Sequence, residues 1–416
     1  MSQSPSLRVI RIPRTIWKQA ALNHQDRIRS LLQPGLLPAD NGKTQRRRQN
    51  RYPADTWTAL DAKNPIYNFL IEYYGLKGVK GTKRLARWCP SPNLLLHPNK
   101  QYDSLEALSQ YSNIAPGNSA IDERDASIFL EDVTEEDLAT TLQLRGAILE
   151  SDGALYSPSL WFQQKNEEQK PDNTSKNSAA SAFLWYRSIL QQTLQAEPIL
   201  HCHGLHEWAM QYHPDGEPSP PSAKYQAHLP LRVSRQVISE TVERKGISCT
   251  HVDALRFFAP AAGPLNHHGA RLERMDQLRL EQPACVHAQM DLLKIALRLQ
   301  PFCNPDLLQH VLQLAIDARR LDVAASPYDA TGYGVGVIPV EIDSGRSQYR
   351  KQQRLLMERA DPIRRELLEA YNIFLKLAFD EDPSTLEAHV TPSKERFAQA
   401  EPGGKPWRKN LVSPTV

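Results

Sequence analysis

Apolar residues recur at helical spacing over most of the second half of the chain. Side chains three and four positions apart share one face of an α-helix, so this spacing predicts amphipathic helices. Short strand candidates are few, and the clearest is 335–342. The pattern predicts a mostly α fold, an irregular multi-helix globular structure with long loops and at most a few short strands. The predicted helices are 15–32, 64–74, 132–149, 182–197, 232–244, 283–299, 305–320 and 347–374.

Changes in composition divide the chain into segments. Residues 163–181 are rich in Gln, Asn, Glu, Lys and Ser and contain almost no large apolar residue, which predicts a polar flexible loop or linker. The full division is a basic, loop-rich N-terminal arm at 1–60, a helical N-terminal part at 61–162, the loop at 163–181, a helical part at 182–380 that carries most of the histidines, and a polar, disordered tail at 381–416.

The net charge of +3 conceals a strong asymmetry. Residues 1–100 contain 18 Lys and Arg against 5 Asp and Glu, and the densest basic stretch includes Arg46, Arg47 and Arg48. Several cations on one surface favour a phosphate backbone through counterion release, so DNA is one predicted partner. The alternative is that the arm packs on the acidic remainder of the same chain.

Cysteine content and hydropathy exclude other classes. Five cysteines in 416 residues do not form a disulfide framework. No apolar run approaches the roughly 20 residues that a membrane-spanning helix needs, and the N-terminus lacks the apolar core of a signal peptide. A reduced, cytoplasmic setting without a membrane partner is therefore expected.

Histidine gives the clearest chemical signal. Nine of the 13 histidines lie between positions 201 and 287. Imidazole binds metals and transfers protons near neutral pH, so this clustering indicates a functional pocket. The nine are His201, His203, His206, His213, His228, His251, His267, His268 and His287.

Four segments carry the candidate residues, at 201–212, 249–258, 280–291 and 317–329. His206 and Glu207 are placed to open a helix, and His287 and Asp291 lie one helical turn apart. Alternating acidic and basic residues mark the fourth segment. The candidate catalytic residues are Asp253, Asp291, Glu207, His206, His251, His287, Arg256 and Arg319.

Three interpretations of this set stay open. In a metal-free site one carboxylate acts as general base, and the histidines and arginines orient the reacting groups. In a metal site His206, His251 and His287 are ligands, joined by Asp253 or Asp291, and hold zinc or an iron centre such as haem. In the third interpretation, His and Asp pairs are only buried hydrogen-bonded links between helices.

Aromatic residues lie beside the polar cluster in sequence and can either stack on a planar ring or fill the core. With Gln282 and the basic arm, they complete the candidate substrate-binding set. That set is Trp208, Tyr212, Phe257, Gln282, Tyr328, Arg46, Arg47 and Arg48.

The sequences GLHEWAMQY (204–212), CTHVDALRFF (249–258), LEQPACVHAQMDL (280–292) and DARRLDVAASPYD (317–329) resemble a family of bacterial and plant-plastid proteins labelled 3-methyladenine DNA glycosylase. NPIYNFLIEYY (64–74) with LARW (85–88) extends the resemblance toward the N-terminus, so that it spans about 45–375. The segment at 76–86 is similar to the DNA-binding hairpin of all-α glycosylases but has an extra residue between its glycines.

This resemblance implies hydrolysis of the N-glycosidic bond of alkylated purines in DNA without a cofactor. It implies a catalytic carboxylate at Asp253 or Asp291, with Glu207 next, and base stacking on Trp208, Phe257 or Tyr328. Two alternatives remain, a His-ligated metal- or haem-dependent all-α enzyme acting on a small molecule, and a non-catalytic nucleic-acid-binding protein that uses the basic arm.

Overall fold

The computed structural model describes residues 9–33, 57–96, 126–168, 176–214, 228–244, 246–270 and 272–379, without the side chains of Asn93, Leu96 and residues 165–181. Within these ranges the chain forms fourteen α-helices and four short strands. The predicted mostly α fold with few strands is therefore confirmed. No helix in the described part is both long and apolar enough to cross a lipid bilayer.

The first seven helices are α1 Arg14–Leu32, α2 Asn68–Glu72, α3 Gly78–Ala86, α4 Asn93–Leu96, α5 Glu135–Thr140, α6 Pro158–Glu168 and α7 Lys176–Gln195. The other seven are α8 Leu205–Met210, α9 Arg235–Glu243, α10 Val252–Leu255, α11 Gln277–Leu280, α12 Val286–Leu299, α13 Pro305–Ala325 and α14 Asp343–Ala378. Three short 3₁₀ turns join them at Pro260–Leu265, Arg274–Asp276 and Thr331–Tyr333.

Two compact units divide the chain. Among the described residues, unit 1 consists of those up to Phe183, Leu292–Ile316 and those from Glu366 onward, and unit 2 consists of those within Leu184–Asp291 and Asp317–Arg365. Helices α7, α12, α13 and α14 each contribute residues to both units.

Unit 1 contains a four-stranded sheet in the order β1-β2-β4-β3. Strands β1 and β2 are parallel, whereas β4 is antiparallel to both β2 and β3. The central strand β2 is almost entirely buried, as its apolar sequence SIFLE requires. The strands are β1 Val9–Ile12, β2 Ser127–Glu131, β3 Ile148–Glu150 and β4 Gly153–Tyr156.

Aromatic packing builds the core of unit 1. Phe302 stacks on Tyr156 with ring centroids 5.5 Å apart, and it also stacks on Phe374 at 4.9 Å. Trp161 packs edge-on against Phe302 and Phe183. Large aromatic side chains typically bury about 150–250 Å² each, so this cluster is a substantial part of the apolar core of unit 1.

The helix predicted at 232–244 corresponds to α9. Ser234 caps its N-terminus, because the Ser234 hydroxyl accepts a hydrogen bond from the Val237 amide. The helix predicted for 132–149 is too long. It ends at Thr140, and strand β3 follows at Ile148–Glu150. The pattern of polar and apolar residues around β3 does not reveal that this segment pairs with a neighbouring strand.

Several predicted segment boundaries need correction. Residues 163–168 belong to α6 and residues 176–181 to α7, so the ends of the predicted loop are helical. Low hydrophobicity does not exclude a helix, since Gln, Glu, Lys and Ala are good helix formers. The part at 61–162 contains three of the four strands, and the predicted strand at 335–342 is irregular.

The arm at 1–60 begins with a strand and a long helix, β1 and α1, within its described residues. The predicted tail at 381–416 and the basic stretch with Arg46, Arg47 and Arg48 lie outside the described residues.

Asp137 joins the N-terminal helix to α5 in unit 1. Its buried carboxylate accepts hydrogen bonds from Arg14 (2.8 Å) and Lys18 (2.6 Å), and its amide donates to the capping hydroxyl of Thr134. Burial raises the pKa of Asp137, but the hydrogen bonds from Lys18, Arg14 and Thr134 outweigh it and lower the pKa to about 2.

Replacing Asp137 by Asn is expected to lower the free energy of unfolding of unit 1 by about 2 kcal/mol at neutral pH, because one pKa unit corresponds to about 1.4 kcal/mol. The pKa is lower in the folded state than in the unfolded chain. The contribution is therefore complete above about pH 4 and is lost as the pH falls toward 2. Urea unfolding of Asp137→Asn at pH 7 and pH 3, with exposed Glu136→Gln as control, tests this. A deficit independent of pH would contradict it.

Candidate functional site

A left-handed backbone turn positions α8 in unit 2. Gly204 immediately precedes the helix with φ 68°, and a Cβ there would lie 3.1 Å from the Ala325 methyl group. The indole N–H of Trp208 donates to the Ala325 carbonyl at 2.8 Å. These contacts place the start of α8, with His206 and Glu207, against the C-terminal part of α13.

Four buried charged or polar side chains meet at this contact. His206 Nε2 donates to Asp322 Oδ1 at 2.6 Å. Arg319, one turn before Asp322 on α13, donates to Glu207 Oε1 at 2.8 Å and also to Asp322 Oδ2. All four are at most 7% exposed. A buried charge is tolerated only when it is paired and hydrogen-bonded, and Arg319 pairs with both carboxylates.

The pKa values follow from these contacts. Burial raises the pKa of Asp322, but His206 and Arg319 outweigh it and hold the pKa well below its usual range. Burial lowers the pKa of Arg319, and the carboxylates of Glu207 and Asp322 more than reverse the effect. Arg319 and Asp322 are therefore ionised together at neutral pH.

Three imidazoles, which we call the imidazole stack, lie in a row beside this ion network. The rings of His287 and His251 are stacked, whereas those of His287 and His206 are tilted by 54°. His287, on the first turn of α12, lies between the other two, with ring centroids 4.3 Å from His206 and 4.7 Å from His251. His251 immediately precedes α10. Burial lowers the pKa of His287 well below its ordinary value, and the neighbouring histidines add to the effect. The central ring is therefore neutral at pH 7.

A second carboxylate closes the other side of the stack. His251 Nε2 donates to Asp291 Oδ2 at 3.3 Å, and Asp291 lies one turn after His287 on α12. Burial lowers the pKa of His251, but the hydrogen bond and charge of Asp291 outweigh it, so the pKa is raised. The predicted one-turn spacing of His287 and Asp291 therefore places both beside His251, with His287 against its ring and Asp291 at its Nε2.

Three polar atoms of this network have no hydrogen-bond partner among the described residues. They are Glu207 Oε2, His251 Nδ1 and His287 Nδ1. Buried polar atoms are nearly always hydrogen-bonded, and exceptions often mark functional sites. The three atoms therefore identify where the network has capacity for a ligand.

Glu281 and Asp322 belong to the site but were not among the predicted residues. Glu281 is 5% exposed, and Gln277 donates to it at 2.6 Å. Burial raises the pKa of Glu281, and the charge of Asp291 adds to the rise. Both residues lie within the segments singled out by sequence. The three-residue spacing of Arg319 and Asp322 at the end of a predicted helix was a usable signal for Asp322, because such a pair shares a face if the helix continues.

Asp253 lies apart from the imidazole stack. Its carboxylate is paired with Arg256 (3.4 Å) and Arg274 (3.9 Å), and about a third of the side chain is exposed. Arg256 itself is exposed and lies over the ring of Phe257. Of the two aspartates proposed for catalysis, the structure brings Asp291 into the network and leaves Asp253 near the surface of unit 2.

Most of the proposed substrate-binding residues that the structure describes are buried or hydrogen-bonded to other parts of the protein. Trp208 is fully buried, so its ring is not available for base stacking. Tyr212 donates to Glu243, and the phenol of buried Tyr328 accepts from Gln211. The Gln282 side chain binds the backbone of Ile199 and Ala284, and it ties two loops together. Phe257 is half-buried and keeps part of its ring accessible.

His206, His287 and Asp322 also satisfy a geometric criterion for metal binding. One potential ligand atom from each lies within 4.8 Å of the others. His251, predicted as the third histidine ligand, is not in this group.

Searches among known protein families, curated proteins and solved structures found no match to this chain. The chemistry of the site is therefore inferred from its own geometry.

Replacing Arg319 by Met is expected to destabilise unit 2 by about 3–5 kcal/mol, because Glu207 and Asp322 would remain buried without their cation. Hydrogen exchange of α8 and α13 reports this loss locally. The neighbouring Arg320 is exposed, so Arg320→Met should change stability by no more than about 0.5 kcal/mol. Equal effects of the two substitutions would show that the buried network is not a stabilising element.

Proposed function

We propose that the protein is a hydrolase and that the buried network around the three stacked histidines is its reaction centre. The observation that carries the proposal is the His251–Asp291 pair. Asp291 accepts a hydrogen bond from Nε2, while Nδ1 has no hydrogen-bond partner in the described part of the chain. This is the arrangement of a general base, in which a carboxylate orients an imidazole whose other nitrogen is free to accept a proton.

The substrate class rests on the sequence resemblance. The four segments that resemble 3-methyladenine DNA glycosylases each contribute a member of the network. Residues 204–212 supply His206, 249–258 supply His251, 280–292 supply His287, and 317–329 supply Asp322. Their convergence supports a shared chemical role. We therefore propose the N-glycosidic bond of an alkylated purine in DNA as the bond that is hydrolysed.

The chemistry needs few protein groups. An alkylated purine carries a positive charge, so the glycosidic bond breaks with its electron pair passing to the base, which leaves as a neutral molecule. Water adds to C1′ of the sugar and loses its proton to His251 Nδ1. Carboxylates near the reacting carbon stabilise the positive charge that develops on the sugar, and Asp291 and Glu207 are suitable for this role.

The direct test is release of alkylated purine from methylated DNA by the full-length protein. His251→Ala and Asp291→Asn are expected to lower the rate at least about 100-fold, the usual contribution of general acid–base catalysis. Asp253→Asn distinguishes the two candidate catalytic carboxylates. Asp253 is paired with Arg256 near the surface, so its substitution is expected to lower the rate much less than Asp291→Asn does.

Exposed His228→Ala serves as the control for loss of a histidine in unit 2. No release by the wild-type protein would contradict the proposed substrate. Release that survives both His251→Ala and Asp291→Asn would contradict the proposed centre. Salt-sensitive DNA affinity without any release would favour the nucleic-acid-binding alternative.

Phosphate binding is supported by a basic face on α3 of unit 1. Lys77, Lys80 and Arg84 are exposed and lie at helical spacing, three and four residues apart. Each phosphate contact contributes about 0.9 to the slope of log affinity against log salt concentration. Replacing the three residues by Gln should therefore lower that slope by up to about 3.

The matched control replaces exposed Arg350, Lys351 and Arg354 of α14 by Gln, which removes the same charge. DNA affinity at several salt concentrations distinguishes a local surface from net charge. Equal slopes for the two triple variants would argue against a DNA-binding role for α3.

A further inference from the structure

His206, His287 and Asp322 come from three separate helices of unit 2, α8, α12 and α13. Nothing in the covalent chain requires their side chains to meet, yet a nitrogen or oxygen atom from each lies within 4.8 Å of the others. Two of the three, His206 and Asp322, are at most 2% exposed, while His287 is half-buried. The group is thus held in the interior and has one partly accessible member.

We propose that His206, His287 and Asp322 bind one divalent first-row transition-metal ion of the zinc or ferrous type. Two imidazoles and one carboxylate form the donor set that such ions prefer, whereas magnesium and calcium favour sites made of oxygen ligands. Three protein ligands leave a coordination position for water, as in catalytic zinc sites.

The charges around the site favour a cation. Six ionisable groups of the surrounding network are at most 8% exposed, and four of them are carboxylates against two guanidinium groups. With all six ionised and the neighbouring histidines neutral, the network would carry two negative charges more than its arginines neutralise. A divalent ion balances that excess. The six groups are Glu207, Glu281, Asp291, Asp322, Arg319 and Arg364.

The ligands are also oriented by their neighbours. Arg319 donates to Oδ2 of Asp322, which leaves Oδ1 directed at His206. Groups that fix a ligand in this way commonly determine metal affinity and geometry. The present hydrogen bond between His206 and Asp322 is 2.6 Å long, and a metal ion would replace the proton that they share. Ligand atoms that are each about 2 Å from a zinc ion lie roughly 3.3 Å from one another. Displacements of about 1 Å by side-chain rotation would bring the three ligand atoms to that separation.

His251 has a different role from the one predicted by sequence. Its Nε2 is bound to Asp291, and its ring stacks on His287 at 4.7 Å. It therefore lies beside the proposed ion without being a ligand. The predicted trio His206, His251 and His287 becomes a trio in which Asp322 replaces His251.

This arrangement deepens the proposed hydrolytic function. A zinc ion held by these residues would supply a water molecule with a lowered pKa, and His251, whose ring packs on His287, would be the neighbouring group that accepts a proton. The use of the ion in hydrolysis rests on the proposed function. Metal binding itself depends only on the three ligands. The metal site and the proposed hydrolytic function can therefore fail separately.

Equilibrium dialysis of the full-length protein against zinc, with metal measured by elemental analysis, tests the site directly. We expect one ion per chain and at least about tenfold weaker binding in His287→Ala and Asp322→Asn. Exposed His228→Ala should bind zinc like the wild type. Circular dichroism identifies any variant that fails to fold, and half-buried His287→Ala is the variant on which the test chiefly depends.

Cobalt provides a second readout that does not require activity. Its visible absorption should show nitrogen and oxygen coordination in the wild-type protein and should be lost in His287→Ala. Stoichiometric zinc binding without hydrolysis would support the metal site and contradict the proposed hydrolytic reaction. No zinc binding by folded wild-type protein, or equal affinity in His287→Ala and His228→Ala, would overturn the site.

Discussion

The polar interior of unit 2 depends on Arg319. This one guanidinium group donates to both Glu207 and Asp322, and all three side chains are at most 7% exposed. Two buried carboxylates so close together would repel each other without a cation between them. Because Arg319 neutralises them, α8 can pack against α13 and present His206 to Asp322. The stack of His206, His287 and His251 follows from this placement.

Hydrogen bonding around this network distinguishes residues that support the fold from residues that are available for a chemical role. Trp208, Gln282 and Tyr212 bond to the backbone or to a neighbouring side chain, and these bonds hold the supporting elements together. Within the network, Glu207, His251 and His287 each keep one polar atom that has no hydrogen-bond partner among the described residues. A network that satisfied every polar atom would serve only as a link between helices. The unsatisfied atoms in this one support a reactive or ligand-binding centre.

Sequence periodicity predicted the mostly α class and the long C-terminal helices, because their packing faces repeat every three to four residues. The four segments of the site were found because their residue types are chemically unusual. Sequence did not show which residues face one another. Asp253 and Asp291 are equally plausible as carboxylates by sequence, yet only Asp291 meets a histidine of the stack. Strands β1, β2, β3 and β4 were missed, since short strands are defined by pairing between distant segments and carry little local signal.

The most direct test is crystallographic. Crystals of the full-length protein equilibrated with zinc, measured on both sides of the zinc absorption edge, reveal the position of any bound ion. The proposed arrangement predicts one anomalous peak about 2 Å from ligand atoms of His206, His287 and Asp322, with Arg319 still bound to Asp322. A peak at unrelated surface residues, or no peak between these three side chains, would contradict it.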